Sequence, residues 1–569
     1  MLVVDTDSSC GCSPVIIKAT GIVKVCAGHS GLTFKRLRSH LHNPAKMELR
    51  ITPAVLAIVL ALCISAILLR KVNPSRLLPP GPPGNPILGH LRLIPRDHPE
   101  HAFAQWGKQY KSDILYFNVL SRPVIVLNSV ESAHDLLDKR GANYADRPRF
   151  AVFEEMGWGV TLTFLRWSAL FKLHRKLLQQ SFTPSACKPY RPLQLEEARR
   201  AIKSITQNPD NWEMRLRQFS TAVVLRIGFG IDIQEDNDPY VKMALDVEEA
   251  TGKGGVPGAS IVDFFPILRY LPSCVGRVWH TLQPLAHARE TRPFIQALHD
   301  TPWDATEPSI PAGNATQPSF MRTHLGRYLD NERDGNPNED VTIADLKGAA
   351  GAISIAGRNT TWSTIIVCIL NLMRHPDVQA KARAEIECVV GLDQNGDILR
   401  LPEFEDRPAM KYLEYVIQEA TRWAPLSPVG IPHASLNEDH YRGYYIPAGA
   451  TVFANAWAMS RDERHYSSPD EFNPDRYIPQ EEGGKGEALP EGPFGFGRRV
   501  CPGQHLALAG VYIAVATLLA TMDLKCPADE KGEVVLPEVT FSNGLSGVPD
   551  SFRCIMAVRS ERAKQLLQS

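Results

Sequence analysis

The chain has 569 residues, with 62 Lys and Arg against 62 Asp and Glu, so its formal charge is zero and it lacks the basic footprint of a nucleic-acid binder. Its 44% hydrophobic and 22% charged residues lie near globular averages, which excludes a disordered protein. The 11 cysteines show no repeated pair spacing of a zinc site or disulfide scaffold, and the Cys10-x-Cys12 pair has no second pair to complete it, so small-molecule chemistry in a reducing compartment is expected.

From Ile51 to Leu69 runs an uncharged stretch, long enough to cross the roughly 30 Å hydrocarbon core as a helix. It exceeds the ~7–15-residue apolar region of a signal peptide, so residues 51–69 are read as a transmembrane anchor. Arg70, Lys71 and Arg76 follow it and place the rest of the chain in the cytoplasm. Lys35, Arg36, Arg38, Lys46 and Arg50 precede it and oppose that orientation. A start at Met47 would delete four of these five, and residues 1–46 are read as a doubtful extension. Residues 70–86 form a Pro-rich linker containing Leu77-Leu-Pro-Pro-Gly-Pro-Pro-Gly-Asn-Pro86, in which proline fixes φ and blocks a helix. Residues 87–569 are read as one large domain.

Within it, a helix should begin at Thr342, whose hydroxyl can cap it, and stop at His375-Pro376 after about 48 Å. Inside lies Ala356-Gly357-Arg358-Asn359-Thr360-Thr361, where Gly357 weakens the helix and Thr360 can divert a backbone hydrogen bond. Between Pro408 and Pro425, Tyr412, Leu413, Val416, Ile417 and Ala420 recur at helical spacing, and Glu419 and Arg422 lie i, i+3 on one side. The region from Tyr441 to Val452 reads as hairpin strands.

Near the C-terminus stands Phe494-Gly-Phe-Gly497-Arg-Arg499-Val-Cys501-Pro-Gly503, followed by an apolar helical run to about Met522. Pro502 suits the first position of that helix, which would put Cys501 at its N-cap and lower its thiol pKa. Gly497 and Gly503 allow tight turns whose N–H groups reach the sulfur.

This loop resembles the F-x-x-G-x-R-x-C-x-G signature of the cytochrome P-450 family, matched at Phe494, Gly497, Arg499, Cys501 and Gly503. The resemblance covers roughly residues 77–560 and is closest in style to fungal microsomal members. It implies a mainly α fold with small β-sheets, and a haem b whose iron is held by the Cys501 thiolate, which favours O–O cleavage as it does throughout that family. It also implies O2 as substrate, electrons from NADPH through a reductase, and a single-pass endoplasmic reticulum protein with a cytosolic catalytic domain.

The resemblance extends to further residues. Arg499 would pair with a haem propionate. Phe171-Lys-Leu-His174-Arg175 is similar to the family's W-x-x-x-R helix, with Phe171 in the Trp place and Arg175 and His174 as cofactor candidates. His433 stands where the family often has a propionate-binding cation, a surface histidine being the other reading. The 356–361 segment resembles A-G-x-D/E-T-T, with Thr360 in the position of proton delivery. Asn359 replaces the usual acid; its amide cannot titrate and can only orient a water. Glu419 and Arg422, joined by Arg476 of Phe472-Asn-Pro-Asp-Arg476, would form a structural lock beside the haem. Lys172, Lys176 and Arg498 are either a basic docking face for the reductase or ordinary solvated charges.

The substrate loops, expected within 148–165, 230–290, 350–361, 426–432 and 541–550, carry Phe150, Phe153, Trp158, Phe264, Phe265, Leu426, Val429 and Leu545. Such a lining suits a lipophilic small molecule, a terpenoid or aromatic intermediate of secondary metabolism. Two rival readings stay open at this point: a redox-independent haem-thiolate isomerase or dehydratase, favoured weakly by Asn359, and a haem-binding membrane protein without turnover.

Overall fold

The computed structural model describes residues 77–568 apart from 96, 234–237, 256, 257, 259, 312–316, 337–339, 544 and 545. The expected N-terminal extension, anchor and first part of the linker lie outside the described residues, as does Leu545.

Two segments are apolar on every face, and such helices have to be covered all round. The helices that build the core are α1 (Ala169–Ser181), α2 (Arg191–Gln207), α3 (Trp212–Phe229), α4 (Pro239–Lys253), α5 (Gln283–Thr306), α6 (Ile343–Arg374), α7 (Pro376–Val390), α8 (Lys411–Trp423) and α9 (Gln504–Thr521). The two apolar helices are α6 and α9. Each is long enough to span a bilayer, yet 61% and 78% of their most apolar windows are buried inside the protein, so both are core helices. Helix α6 packs against α3, α9, α5 and α8.

The 32 residues of α6 begin and end where the sequence signals lie. Thr342 caps the first turn through a reciprocal pair, Asp345 N–H to Thr342 Oγ1 at 3.2 Å and Thr342 N–H to Asp345 Oδ2 at 2.9 Å. Pro376 opens α7 and prevents continuation.

In α8 the apolar positions Leu413, Val416, Ile417 and Ala420 are buried as their spacing requires. Glu419 and Arg422 are buried with them, fully enclosed. Arg422 donates to both carboxylate oxygens of Glu419 at 2.8 Å, and Arg476 Nε donates to Oε1 at 3.1 Å. Tyr477 O–H and Asn473 N–H complete the acceptor set of Glu419 at 2.8 and 2.9 Å, while Glu487 meets Arg476 at 2.6 Å. Arg422 also donates to the carbonyls of Ser460, Pro469 and Glu471, which ties α8 to the segment leading to the cysteine loop.

A four-stranded sheet has the order β1 (Ile114–Val119), β2 (Arg122–Leu127), β6 (Thr451–Ala454) and β3 (His433–Ala434); β2 and β6 are parallel and the other pairs antiparallel. The expected hairpin region splits in two. Strands β4 (Asp439–Tyr441) and β5 (Tyr444–Ile446) turn at Arg442-Gly443, both with positive φ, and β6 then joins the larger sheet. A last antiparallel pair, β7 (Met522–Lys525) and β8 (Ile555–Val558), follows α9.

From Leu77 onward the Pro-rich segment is not a free spacer. The Leu77 carbonyl accepts from Tyr445 N–H at 2.7 Å and the Pro80 carbonyl from Tyr116 N–H at 3.1 Å. A Cβ at Gly81 would stand 2.4 Å from the Tyr116 oxygen, so the segment lies directly on the sheet edge and belongs to the domain.

Candidate active site

The cysteine loop and the middle of α6 both line one cavity of about 640 Å³. Ala356, Asn359 and Thr360 of α6 share it with Phe494, Cys501 and Gly503 of the loop. Gly497 does not reach the cavity but sets the loop. It has φ +55°, and a Cβ there would meet the Leu137 oxygen at 2.1 Å, so only glycine lets the loop lie on that backbone. The Phe494 carbonyl accepts from Cys501 N–H at 2.8 Å and closes the loop.

Two expectations about Cys501 are corrected. Helix α9 starts at Gln504 with Gly503 as its N-cap, because the chain turns once more after Pro502 before the helical ladder begins. The sulfur still lies at the helix N-terminus, where the Gly503 and Gln504 N–H groups bond it. Burial nevertheless pushes the thiol above its ordinary value, and these N–H groups and the Arg175 charge offset only part of that. A coordinated metal ion deprotonates such a thiol outright.

Around the cavity sits a group of buried and half-buried bases. Arg499 donates to the Ala145 and Leu165 carbonyls at 2.7 and 2.9 Å, its Nη2 is buried with no partner, and its guanidinium stacks 3.7 Å over the Phe171 ring. Arg175 reaches the Val500 carbonyl beside Cys501. Arg147, which the sequence argument missed, donates to the carbonyls of Ile431, Pro432 and Thr163 at 2.5, 2.9 and 3.2 Å. Nothing local in Asp146-Arg147-Pro148 distinguishes this arginine; only the fold brings it to the cavity. Burial pushes Arg499 down to about 9 and Arg147 well below its ordinary range. The carboxylate that acts on both, Asp146, is already engaged by Arg166 and by Trp167 N–H at 2.7 Å.

His433 lines the same cavity and is buried. It is not the expected cation: burial, reinforced by Arg147 and Arg499, holds its pKa far below the usual value, and its Nδ1 lies 2.9 Å from the Tyr144 carbonyl. The ring is therefore neutral and its Nδ1–H donates. His174 is corrected outright. It lies outside the cavity lining, packed where a Gly348 Cβ would be 3.0 Å away, with Nε2 3.6 Å from Asp345 Oδ1, because α1 turns that face toward the start of α6.

Buried guanidinium groups that meet carbonyls but few carboxylates fit a ligand with two anionic groups. Haem has that character. The residues present fit it: Cys501 would hold the iron, and Arg147, Arg175, Arg499 and neutral His433 would hold the carboxylates.

On α6, Thr360 O–H donates to the Ala356 carbonyl at 2.7 Å, diverting the acceptor of an ordinary helix bond at the cavity wall. Asn359 Oδ1 is buried without a partner, and a Cβ on Gly357 would stand 2.6 Å from Val224. Arg358 turns away from the loop and donates to the Ala244 carbonyl of α4 at 2.7 Å.

Sequence comparison agrees with this geometry. The model of the Cytochrome P450 family matches residues 79–544. The chain belongs to the cytochrome P450 family. It is similar to a cytochrome P450 monooxygenase of Armillaria gallica, 32% identical over 521 residues, 90% of this chain and 99% of that one. It is also similar to tryptamine 4-monooxygenase of Psilocybe cyanescens, 33% identical over 89% of this chain and 98% of the relative, and to cytochrome P450 monooxygenase 176 of Postia placenta, 34% identical over 86% and 92%. The family makes this chain an oxygen-incorporating oxidoreductase with a haem iron on a cysteine thiolate.

Of the residues expected to line the substrate space, Trp158 and Leu426 do. Phe150 and Phe153 are instead buried outside the lining, in the core cluster that also holds Trp158, Val247 and Leu285. Phe264 takes Arg122 against its ring at 5.6 Å, Val429 packs on the cluster around Phe117, and Phe265 faces outward at 45% exposure. The apolar wall comes rather from Leu162, Phe164, Phe182, Phe219, Val223 and Ile353. Several lie on α3 and α6, whose apolar residues could not be divided between core and cavity by periodicity.

Proposed function

We propose that this cytochrome P450 uses O2 and electrons from NADPH, passed by a membrane reductase, to hydroxylate or otherwise oxidise a lipophilic small molecule of fungal secondary metabolism, a terpenoid or an aromatic compound. The observation that carries the reading is that Thr360 and Cys501 line one largely apolar cavity. When bound, haem supplies an iron centre that activates O2, with the thiolate feeding electron density toward it.

The chain's own residues do the rest. The Thr360 hydroxyl sits with its proton on Ala356 O; by rotating it can pass that proton into the cavity while its oxygen accepts another from water. Asn359 can orient that water through its amide but cannot supply a proton itself. Arg147, Arg175 and Arg499 fix the cofactor's carboxylates, and the apolar side chains exclude bulk water. Exposed Lys172, Lys176 and Arg498 offer a basic face suited to an acidic reductase surface. The aromatic substrate named for the Psilocybe relative supports the aromatic half of the proposal. The uncharged stretch 51–69 supports attachment to the endoplasmic reticulum membrane with the catalytic domain in the cytosol.

Reconstitution with reductase in lipid vesicles tests this. Product formation should require NADPH and O2 together, against a panel of terpenoids and aromatic compounds screened first by substrate-induced shifts of the haem band. Turnover without either reagent would establish the isomerase or dehydratase reading instead.

A further inference from the structure

The register of the last sheet sets two cysteines opposite each other. The β7–β8 ladder pairs Met522 with Val558, Leu524 with Met556 and Lys525 with Ile555. The ladder ends there; continued by one step, the same register sets Cys526 opposite Cys554, and the two sulfurs are near enough to interact electrostatically. Side chains alternate in a strand, so these two share the face of the buried pair Leu524 and Met556, not that of exposed Lys525 and Ile555. Directly opposed residues of an antiparallel pair have Cα atoms about 4.5–5.5 Å apart, inside the ~4.4–6.8 Å that a disulfide spans.

Both sulfurs are free thiols. The Cys554 sulfur accepts from the Lys525 N–H, the residue before Cys526, and the nearby Cys526 sulfur opposes its ionisation. Cys526 Sγ lies 3.4 Å from the Met373 carbonyl in the last turn of α6 and is the more exposed of the two. The chain between them runs out to the cavity, where Ser542, Asn543, Ser546, Gly547 and Val548 form part of its wall. Gly547 N–H also donates to the Leu426 carbonyl at 2.7 Å. The dithiol therefore stands at the base of a loop whose residues 542, 543 and 546–548 line the substrate space.

We propose that Cys526 and Cys554 form a reversible dithiol–disulfide pair, oxidised by hydrogen peroxide, that ties the base of the cavity-lining loop 526–554. In the first step the Cys526 thiolate attacks the O–O bond; an S–O bond forms, hydroxide leaves and takes a proton to become water. In the second, the Cys554 sulfur attacks Cys526, the S–S bond forms, and the S–O bond breaks as a second water leaves. Two thiols lose two electrons in all and one peroxide gains them. Burial pushes both thiols up, Cys554 to about 12, while the Arg374 charge offsets part of the rise at the more exposed Cys526, so Cys526 is the first to react and the pair closes faster as pH rises. In a reducing compartment such a bond is transient and set by the peroxide load.

The test uses the full-length holoenzyme, reduced, freed of reductant, and exposed to hydrogen peroxide. Remaining thiols are then alkylated and the peptides mapped without reduction. The expected result is a Cys526–Cys554 peptide pair, two hydrogen atoms lighter than its reduced components, reversed by dithiothreitol and lost in Cys526→Ala and in Cys554→Ser. Limited proteolysis within 526–554 should slow on oxidation of the wild type and stay unchanged in either variant. Recovery of both thiols fully alkylated, at a dose that already oxidises exposed Cys274 and Cys388, overturns the pairing. So does Cys526 recovered as sulfinic acid beside a free Cys554 thiol. A disulfide that forms without altering proteolysis of the loop overturns the tethering.

Discussion

Replacing Glu419 by Gln removes one negative charge from a site where no water reaches it. Glu419, Arg422 and Arg476 are fully buried, and the carboxylate accepts from Arg422 Nε and Nη2, Arg476 Nε, Asn473 N–H and Tyr477 O–H at 2.8 to 3.1 Å. Gln keeps one acceptor oxygen and points an NH2 at the remaining donors. Arg476 retains Glu487 at 2.6 Å, whereas Arg422 is left with carbonyls alone. One uncompensated buried cation corresponds to about 3–5 kcal/mol, a large part of the roughly 5–15 kcal/mol that holds a protein folded. With a urea dependence of roughly 3 kcal/mol per M, the midpoint of far-UV circular dichroism should fall by about 1 M or more. An apolar double variant, Glu419→Leu with Arg422→Met, should recover much of the loss because neither charge then remains alone. A midpoint shift below about 0.3 M for Glu419→Gln would refute the argument that this carboxylate holds the core together.

Other perturbations follow from the same geometry. Gly497→Ala forces a Cβ to within 2.1 Å of the Leu137 oxygen at φ +55°, so the protein should be recovered largely without haem, read from the ratio of haem to protein absorbance. Arg147→Leu and Arg499→Leu should each speed haem loss to an apomyoglobin acceptor by roughly tenfold or more, because each removes a buried charge-assisted contact worth about 1.5–3 kcal/mol. Thr360→Ala should lower product formed per NADPH about tenfold or more and raise hydrogen peroxide release, while Asn359→Asp should improve that yield and introduce a pH dependence absent from the wild type. Burial, aided by Arg327, pushes His324 down to about 4. The unfolded ring takes a proton near pH 6.5, so this group's contribution to stability is complete above that pH, falls on acidification, and is exhausted as pH drops through about 4. His324→Gln should flatten the pH dependence of the unfolding midpoint across that window.

The local signals were legible where one residue's chemistry dictates the backbone. Thr342 with Asp345 and His375 with Pro376 mark both ends of α6, and the spacing of Leu413, Val416, Ile417 and Ala420 gives the buried face of α8. The motif residues Phe494, Arg499, Cys501 and Thr360 reach one cavity, as a shared site requires. What was not legible depends on burial. At Cys501 the helix N-terminus is visible in sequence, while the burial that opposes its effect on the thiol is not. For the same reason the sequence leaves His433 open between a propionate-binding cation and a surface histidine, whereas the ring is buried and neutral. His174 and Arg175 are adjacent in sequence, but on a helix adjacent residues point about 100° apart, so one faces Asp345 and the other Val500. Arg147 and the α3 wall emerge only when distant segments meet.

Ligation of the haem iron by Cys501 is tested most directly by the carbon monoxide difference spectrum of the dithionite-reduced protein beside Cys501→Ala. A thiolate ligand gives a strongly red-shifted haem band, so the wild type should show it and the variant should lose it. A wild-type protein that carries a full complement of haem yet lacks that band, or a variant that keeps it, would contradict the account.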